Sequence, residues 1–345
     1  MGGTSAERDV SLASGLRVAA ALRSRAHTVT AVDTVRGALT EGEERAILAS
    51  GVMRTLPPEQ EALVRMSLQA LPATVHALPA KGDVDVVFLG LHGGQGEDGT
   101  IQALLDLTGV PYTGSGHLAS ALAMDKDLSK RLFRDARVPT PDWWMLRAQD
   151  ARVWREHDYA TRALAALRLP LIVKPSKQGS TVGLTLVKTA DMLSSAIVEA
   201  FRYDDEVMLE CFVPGRELTV GILGDDALPV GEIIAKHEIY DYECKYTPGM
   251  AEEVFPARIT EEQRAEAQSL ALRAFRALKL SGCARIDFRM MEDGTFYCLE
   301  ANTLPGMTEL SLIPQAAAAA GISFPELCDR IVQLAVRARA SGETK

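Results

Sequence analysis

Near the start of the chain, in "SLASGLRVAAALRSRAHTV", Leu12, Leu16, Val18, Ala19 and Leu22 fall at near-helical spacing and predict a helix, and "TVTAVDT" beyond it reads as a short strand. From about Arg36 to Lys81 the pattern weakens, with helices over "EGEERAIL" and "PPEQEALVRMSLQAL" between poor turns. The stretch "DVDVVFLGLHGGQGEDGTIQALLDLTGVPYTGSG" then reads as a buried strand, a glycine-rich loop, a helix and a short strand, the order of a parallel α/β unit. A helix over Ala119 to Asp135 follows, and the two prolines of "VPTPDWWML" end it.

The apolar pattern changes to strands in the second half. "LPLIVKPSKQGSTVGLTLV" reads as a hairpin around a glycine- and serine-rich loop, and "EVMLECFV", "RELTVGILG" and "ALPVGEIIA" as further strands before a long irregular loop. A helix starts at Thr260, where Thr260 and Gln263 form a capping box. "ARIDFRMMEDGTFYCLEANT" is a hairpin turning at Asp293-Gly294. The alanine run at 316–320 is helical, and a last helix starts at Ser323, capped by Glu326.

Composition narrows the class. A length of 345 residues suggests two or three domains, and 47% hydrophobic with 24% charged residues is ordinary for a soluble globular protein. A net charge of -9 provides no basic field for a phosphate backbone, so nucleic acid is not an expected partner. No run approaches the roughly 20 apolar residues of a membrane span, and no signal peptide opens the chain, which points to the cytoplasm. Five scattered cysteines without a CxxC pair suggest reduced thiols rather than a disulfide framework or a zinc site.

The strongest chemistry lies in "ARIDF" and "FYCLEANTLPGMT". Strand alternation puts Arg285 and Asp287 on one face, and the hairpin returns Glu300 and Asn302 opposite them. Two carboxylates and an amide oxygen suit magnesium carrying a nucleotide; the competing reading is an Arg285–Glu300 ion pair on a solvated face. "KPSKQGSTVG" is a glycine loop between antiparallel strands that can fold over a triphosphate, with Lys174 as a fixed charge; alone, it is equally a surface hairpin. "YDYECKYTPGM" reads either as a lid over substrate or as an Ω-loop packed on its own aromatics. In "LHGGQGEDGT", His92 is a second-rank candidate to orient a carboxylate, while Glu97 and Asp98 cap a helix.

Taken together, "GGTSAERDVSL", "LHGGQGEDG", "AMDKDLSK", "KPSKQGSTVG", "YDYECKY", "GCARIDF" and "LEANTLPGMTELSLIP" resemble, in order, the D-alanine–D-alanine ligases of the ATP-grasp superfamily. The resemblance covers most of the chain. It implies an α/β and α+β chain with an ATP-grasp fold: an N-terminal Rossmann-like substrate-binding domain (1–116), a central grasp domain (117–209) and a C-terminal α+β domain with the lid (210–345). It also implies ATP and two Mg2+ (or Mn2+) as cofactors, two D-alanines as substrates, and a homodimer.

The implied roles fall on named residues. Lys126 and Lys174 would hold the phosphates, while Glu210, Val213 and Glu217 receive adenine and ribose. Asp287, Glu300 and Asn302 would hold the metal. Glu7 would pair with the first substrate's ammonium, and Ser180 and Tyr246 would tie helix, phosphate loop and lid together. Arg285 and the Gly306 N–H would stabilise the oxyanion, Lys245 would reach the transferred phosphate, and Ser311 would bind the second carboxylate. Ligases making D-alanyl-D-lactate differ at the position of Tyr246, which here favours an amine acceptor. Another dipeptide, D-alanyl-D-lactate, or nucleotide binding without ligation are the competing functions.

Two departures stand out. The segment from Arg36 to Lys81 is longer than in compact members, and no strand precedes the Gly-Gly turn of "MGGTSAERDVSLASG". The expectation is that the natural product starts upstream and that Glu7, as the chain stands, is poorly anchored.

Overall fold

Two antiparallel sheets face each other across a cleft, with a helical N-terminal part closing one end. The computed structural model describes residues 1–5, 7–49, 78–150, 163–247 and 249–340. The expected helix over 57–71 lies outside the described residues.

The N-terminal part starts with α1 (Arg8–Ser24), which buries Leu12, Leu16, Val18, Ala19 and Leu22 as its spacing requires. The expected strand shrinks to β1 (Val32–Asp33), paired antiparallel with β2 (Gly37–Ala38), and α2 (Glu41–Ala49) follows. Met1 donates its amine to Val32 O at 3.0 Å and accepts from Thr34 N at 3.1 Å, so it sits against β1 as a neighbouring strand residue would. Arg8 holds this loop through Gly3 O at 2.8 Å and Asp33 at 2.5 Å, and Ser11 Oγ accepts the Gly2 N–H. The opening residues are therefore tied to the body by named contacts.

The buried strand expected over "DVDVVFLG" is reduced to one parallel bridge between Val87 and Tyr112. Thr113 Oγ1, rather than a backbone carbonyl, takes the Leu89 N–H, so the ladder stops there. A turn of 3-10 helix (Gly94–Gly96) and α3 (Thr100–Thr108) follow. The single helix expected over Ala119 to Asp135 is two, α4 (His117–Met124) and α5 (Lys126–Asp135). Asp125 is extended between them and accepts the Leu128 N–H, so an N-cap replaces the expected continuous turn.

The central sheet has the order β3-β6-β4-β5, formed by β3 (Trp143–Arg147), β4 (Leu171–Pro175), β5 (Thr185–Val187) and β6 (Glu206–Cys211). The expected hairpin is β4–β5, and α6 (Leu193–Ala200) packs on β4. Because β6 lies wholly in this sheet, the central unit runs through Cys211, past the expected division at 209.

The second sheet has the order β10-β9-β7-β11-β12, with β8 beside β7. Its strands are β7 (Arg216–Leu223), β8 (Asp226–Ala227), β9 (Gly231–Ala235), β10 (Ala251–Val254), β11 (Cys283–Met290) and β12 (Phe296–Asn302). The loop expected to be irregular is thus the tip of a β9–β10 hairpin, and it carries a short helix, α7 (Tyr242–Tyr246). β10 forms because Ala251–Val254 finds an unpaired edge on β9. Helix α8 (Glu261–Ala277) has the Thr260–Gln263 capping box and covers β7 and β11. Between helix and sheet lie fully buried Phe288 and Phe296, whose rings meet edge to face at 6.2 Å. Each such ring contributes about 1.5–3 kcal/mol by leaving water.

Two helices finish the chain, α9 (Leu312–Ala319) and α10 (Phe324–Ala340), and both pack with α1 in a second core. Ser323 Oγ, not Glu326, caps α10, accepting from Glu326 N at 3.4 Å, while the Glu326 carboxylate pairs with Arg330 at 2.5 Å. Gly114 and Gly282, both at positive φ, bring the N-terminal part against β11: a Cβ on Gly282 would lie 3.1 Å from the Gly114 backbone.

Candidate active site

Between the two sheets lies a cleft of about 950 Å³, its open mouth included. Its floor is polar where a strand interior is normally apolar. Lys174, on the fully buried β4, reaches Glu210 of β6 at 2.7 Å, and Lys130 of α5 reaches the other carboxylate oxygen at 2.6 Å. Lys130 also donates to Thr140 Oγ1 at 2.6 Å. Burial by itself would raise the Glu210 carboxyl, but the two ammonium groups hold it below the usual range; burial lowers Lys130. Glu210, expected at the adenine, spends both oxygens on lysines.

The cleft is also lined by the apolar side chains of Ile172, Phe212, Val213 and Leu299. Val213 O accepts from Arg289 Nε at 3.1 Å. Arg289 also pairs at 3.2 Å with Glu217, its cross-strand neighbour on β7. Burial raises the Glu217 carboxyl, against the pull of Arg289.

The glycine loop after Lys174 closes the cleft. Ser180 and Thr181 both take positive φ, +50° and +58°, a conformation that costs roughly 1–3 kcal/mol per residue and persists only where surroundings impose it. Here the Ser180 hydroxyl donates to the Glu7 carboxylate. Gly93 lies so close to Glu7 that a Cβ would stand 2.9 Å from its Oε2. Glu7 is thus held by the loop after Lys174, with the Gly93 loop packed against it, contrary to the expectation that it would be loose.

The hairpin chemistry is where alternation put it. Asp287 and Glu300 are cross-strand partners, as are Arg285 and Asn302, with a register shift just after Asp287. Arg285 grips Asp287 with Nε and Nη2, both at 2.9 Å, and Thr219 Oγ1 adds a 2.7 Å bond. The competing Arg285–Glu300 pair is therefore replaced by one along the same strand. Glu300 faces Lys126 at 3.3 Å, and Lys126 also donates to Gln178 O in the glycine loop. Burial raises Glu300, but Lys126, Lys245, Lys174 and Arg285 outweigh it and hold its carboxyl at about 2. Asn302 Oδ1 accepts the Leu304 N–H at 3.1 Å. Two carboxylates plus an amide oxygen are a hard donor set that fits magnesium, which would neutralise phosphate charge there.

A second cavity adjoins the cleft, lined by Glu7, His92, Glu97, Asn302, Gly306 and Ser311 among others. His92 is buried, with Nδ1 2.9 Å from Leu304 O and Nε2 3.1 Å from Ser14 Oγ, and burial lowers the imidazole below its ordinary range. Glu97 is not a helix cap; burial, with Glu7 adding repulsion, pushes its carboxyl to about 8. Ser311 Oγ accepts the Thr308 N–H at 3.1 Å and lies beside Gly306, where a Cβ would stand 2.9 Å from it. On the lid, Lys245 faces both cavities and lies 5.4 Å from the Tyr240 ring. The Tyr246 side chain lies outside the described residues, and with it the expected contact to Ser180.

Sequence reasoning missed Lys130 and the burial of Glu97. Lys130 had a signal, since Lys126 and Lys130 are one helical turn apart. Glu97 had none.

These two grasping sheets, with a lysine-floored slot and a carboxylate hairpin between them, define an ATP-grasp ligase. The models of the D-ala D-ala ligase N-terminus and C-terminus match residues 1–115 and 132–333. The D-alanine--D-alanine ligase of Geotalea uraniireducens is 42% identical over 335 residues, 97% of this chain and 94% of that protein. Among solved structures, the VanG D-Ala:D-Ser ligase of Enterococcus faecalis aligns with TM-score 0.78 at 29% identity, covering 97% of each chain. The D-alanine--D-alanine ligase of Bacillus anthracis complexed with ATP aligns with TM-score 0.65 at 35% identity, covering 75% of this chain and 82% of that one. The chain belongs to the D-alanine–D-alanine ligase family. Its class is that of ATP-dependent ligases, and no helix among the described residues is long and apolar enough to cross a membrane.

Proposed function

We propose that this chain joins two D-alanines into D-alanyl-D-alanine, a peptidoglycan precursor, at the expense of ATP and with magnesium. The observation that carries the reading is that the nucleotide cleft and the amino-acid cavity share one wall, made of Lys126, Ser180, Tyr240, Lys245, Arg285 and Glu300. A group leaving a nucleotide on one side of that wall is delivered to a carboxylate on the other.

When bound, ATP and its magnesium ions activate the first D-alanine's carboxylate as an acyl phosphate, which the second amine then attacks. The protein's part is positional and electrostatic. Ile172, Phe212, Val213 and Leu299 sandwich the base, and Glu217 takes the ribose. Lys126 and Lys174 hold phosphate oxygens, Lys174 being kept in line by Glu210 and Lys130. Asp287, Glu300 and Asn302 hold the metal. Glu7, fixed by Ser180, receives the first ammonium. Arg285 and the Gly306 N–H face the developing oxyanion, a contribution worth about 3 kcal/mol per donor elsewhere. Ser311 binds the second carboxylate, and Lys245 reaches the phosphate from the lid.

Tyr246 is assigned to acceptor choice on its sequence position. The reaction belongs in the cytoplasm, consistent with five free cysteines, and the assembly is a homodimer. Phosphate release with D-alanine, ATP and Mg2+, compared with D-alanine plus D-lactate or D-serine, and with the products identified by mass, tests the reading. ATP binding without D-alanine-dependent phosphate release would make the chain a nucleotide-binding protein instead.

A further inference from the structure

The lid carries a donor set that ligation does not use. His237, Asp241 and Cys244 bring a ring nitrogen, a carboxylate oxygen and a thiol sulfur within 4.8 Å of one another. We infer that this triad, spaced H-x3-D-x2-C at the base of the lid, binds a divalent cation of the zinc class and thereby restrains the lid.

The ordinary reading of these residues is a capped helix. Asp241 Oδ1 does cap α7, accepting the Cys244 N–H at 2.9 Å, and His237 Nδ1 lies 2.7 Å from Asp241 Oδ2. That account leaves the thiol unexplained. The buried Cys244 sulfur lies within 4.8 Å of the His237 ring and the Asp241 carboxylate, a polar setting that a cysteine acting as a small hydrophobe does not need. Sequence alone argued against zinc because no CxxC pair exists; the fold instead assembles one nitrogen, one oxygen and one sulfur from the segment 237–244 between β9 and the first turn of α7.

Donor chemistry sets the ion. Imidazole and thiolate select zinc, cobalt or cadmium over magnesium, which stays with the oxygen set at Asp287, Glu300 and Asn302. Tetrahedral zinc holds neighbouring ligand atoms about 3.3–3.8 Å apart, so shifts of about 1 Å complete the triad and leave one position for water. His237 and Asp241 are partly exposed, 39% and 31%, and give the ion its entry; Cys244 closes the inner side. On binding, the thiol gives its proton to solvent and becomes thiolate; the Nδ1 proton that His237 donates to Asp241 is lost to solvent, the remaining ring proton sits on Nε2, and Nδ1 presents its lone pair. No redox partner is needed.

The consequence follows from position. His237 lies two residues past β9, and Cys244 precedes Lys245, the lid residue that faces both cavities. An ion clipping one to the other fixes α7 against the sheet. Zinc in the presence of saturating magnesium is therefore expected to slow turnover, and this kinetic arm rests on the proposed ligase reading; the binding arm does not.

The test titrates the full chain with Co2+ and follows the near-ultraviolet thiolate-to-cobalt absorption. One equivalent should develop the band, Cys244→Ser should abolish it, and His237→Ala, an exposed change, should weaken Co2+ binding by more than about tenfold. Circular dichroism melts show whether Cys244→Ser is folded, and His237→Ala supplies the answer if it is not. No band in the wild type, a band unchanged in folded Cys244→Ser, or undiminished affinity in His237→Ala overturns the site. In the kinetic arm, micromolar Zn2+ should slow the wild type and spare His237→Ala. Equal inhibition of both overturns the lid restraint. A chain that never releases phosphate with D-alanine sinks the ligase reading, while the cobalt band still decides the site.

Discussion

Lys130 and Glu210 face each other at 2.6 Å beneath the nucleotide cleft, and neither side chain is more than 4% exposed. Glu210 meets Lys174 through its other oxygen, so one carboxylate sets the height of two lysines. Removing one member of a buried ion pair costs about 3–5 kcal/mol because the remaining charge is stranded; here Lys174 still serves Glu210, which puts the cost at the lower end. Lys130→Met is expected to lower Tm by several degrees. It should also raise KM for ATP more than it changes kcat, because Lys174 loses its bracing. Thermal melts with and without ATP, beside steady-state kinetics, check both; a variant with unchanged KM for ATP removes the bracing role.

The Ser180–Glu7 bond links the loop after β4 to the start of α1, elements that the proposed function assigns to phosphate and to the first substrate. A hydrogen bond to a charged group is worth about 1.5–3 kcal/mol, and each 1.4 kcal/mol is about tenfold in affinity. Ser180→Ala should therefore raise KM for the first D-alanine about tenfold or more while leaving nucleotide affinity within about twofold. Measuring phosphate release against D-alanine and against ATP separates the two, and equal rises in both would count against the assignment.

At the hairpin, Asp287→Asn and Glu300→Gln should each keep the fold and cut turnover by more than about a hundredfold, since a neutral amide holds the metal cation that neutralises phosphate charge more weakly than a carboxylate does. Mn2+ binding followed by electron paramagnetic resonance should weaken in parallel. Asp287→Asn also frees Arg285 from its 2.9 Å partner, so its Tm should fall more than that of Glu300→Gln. Near-normal rates in both variants would remove the metal assignment.

Glu97 predicts a pH dependence. Burial raises its carboxyl from 4.5 to about 8 in the folded protein. The folded state then holds the proton more tightly than the unfolded one, so this stabilisation is complete below about pH 4.5 and is lost as pH rises through about 8. Between about pH 5 and about pH 8 the wild type should lose Tm relative to Glu97→Gln, whose amide stays neutral throughout. Parallel melting curves for the two proteins over that range would show that Glu97 does not carry the proton.

Strand alternation and turn chemistry are local, and they were legible. Asp287 and Glu300 face each other because Asp293-Gly294 sets the hairpin, and α8 begins at Thr260 because its capping box satisfies the first free N–H groups. The glycine loop at Ser180 was legible as a loop, and the motif order carried the family. What only the tertiary structure decided depends on partners distant in sequence. Asp125 breaks a helix that periodicity would continue, β10 exists because β9 had a vacant edge, and Arg285 chose Asp287 over Glu300 because Lys126 arrives from another element to hold Glu300. Glu97 and Glu210 owe their altered ionisation to burial and to neighbours brought from other elements, and no local pattern of residues encodes the dielectric they experience.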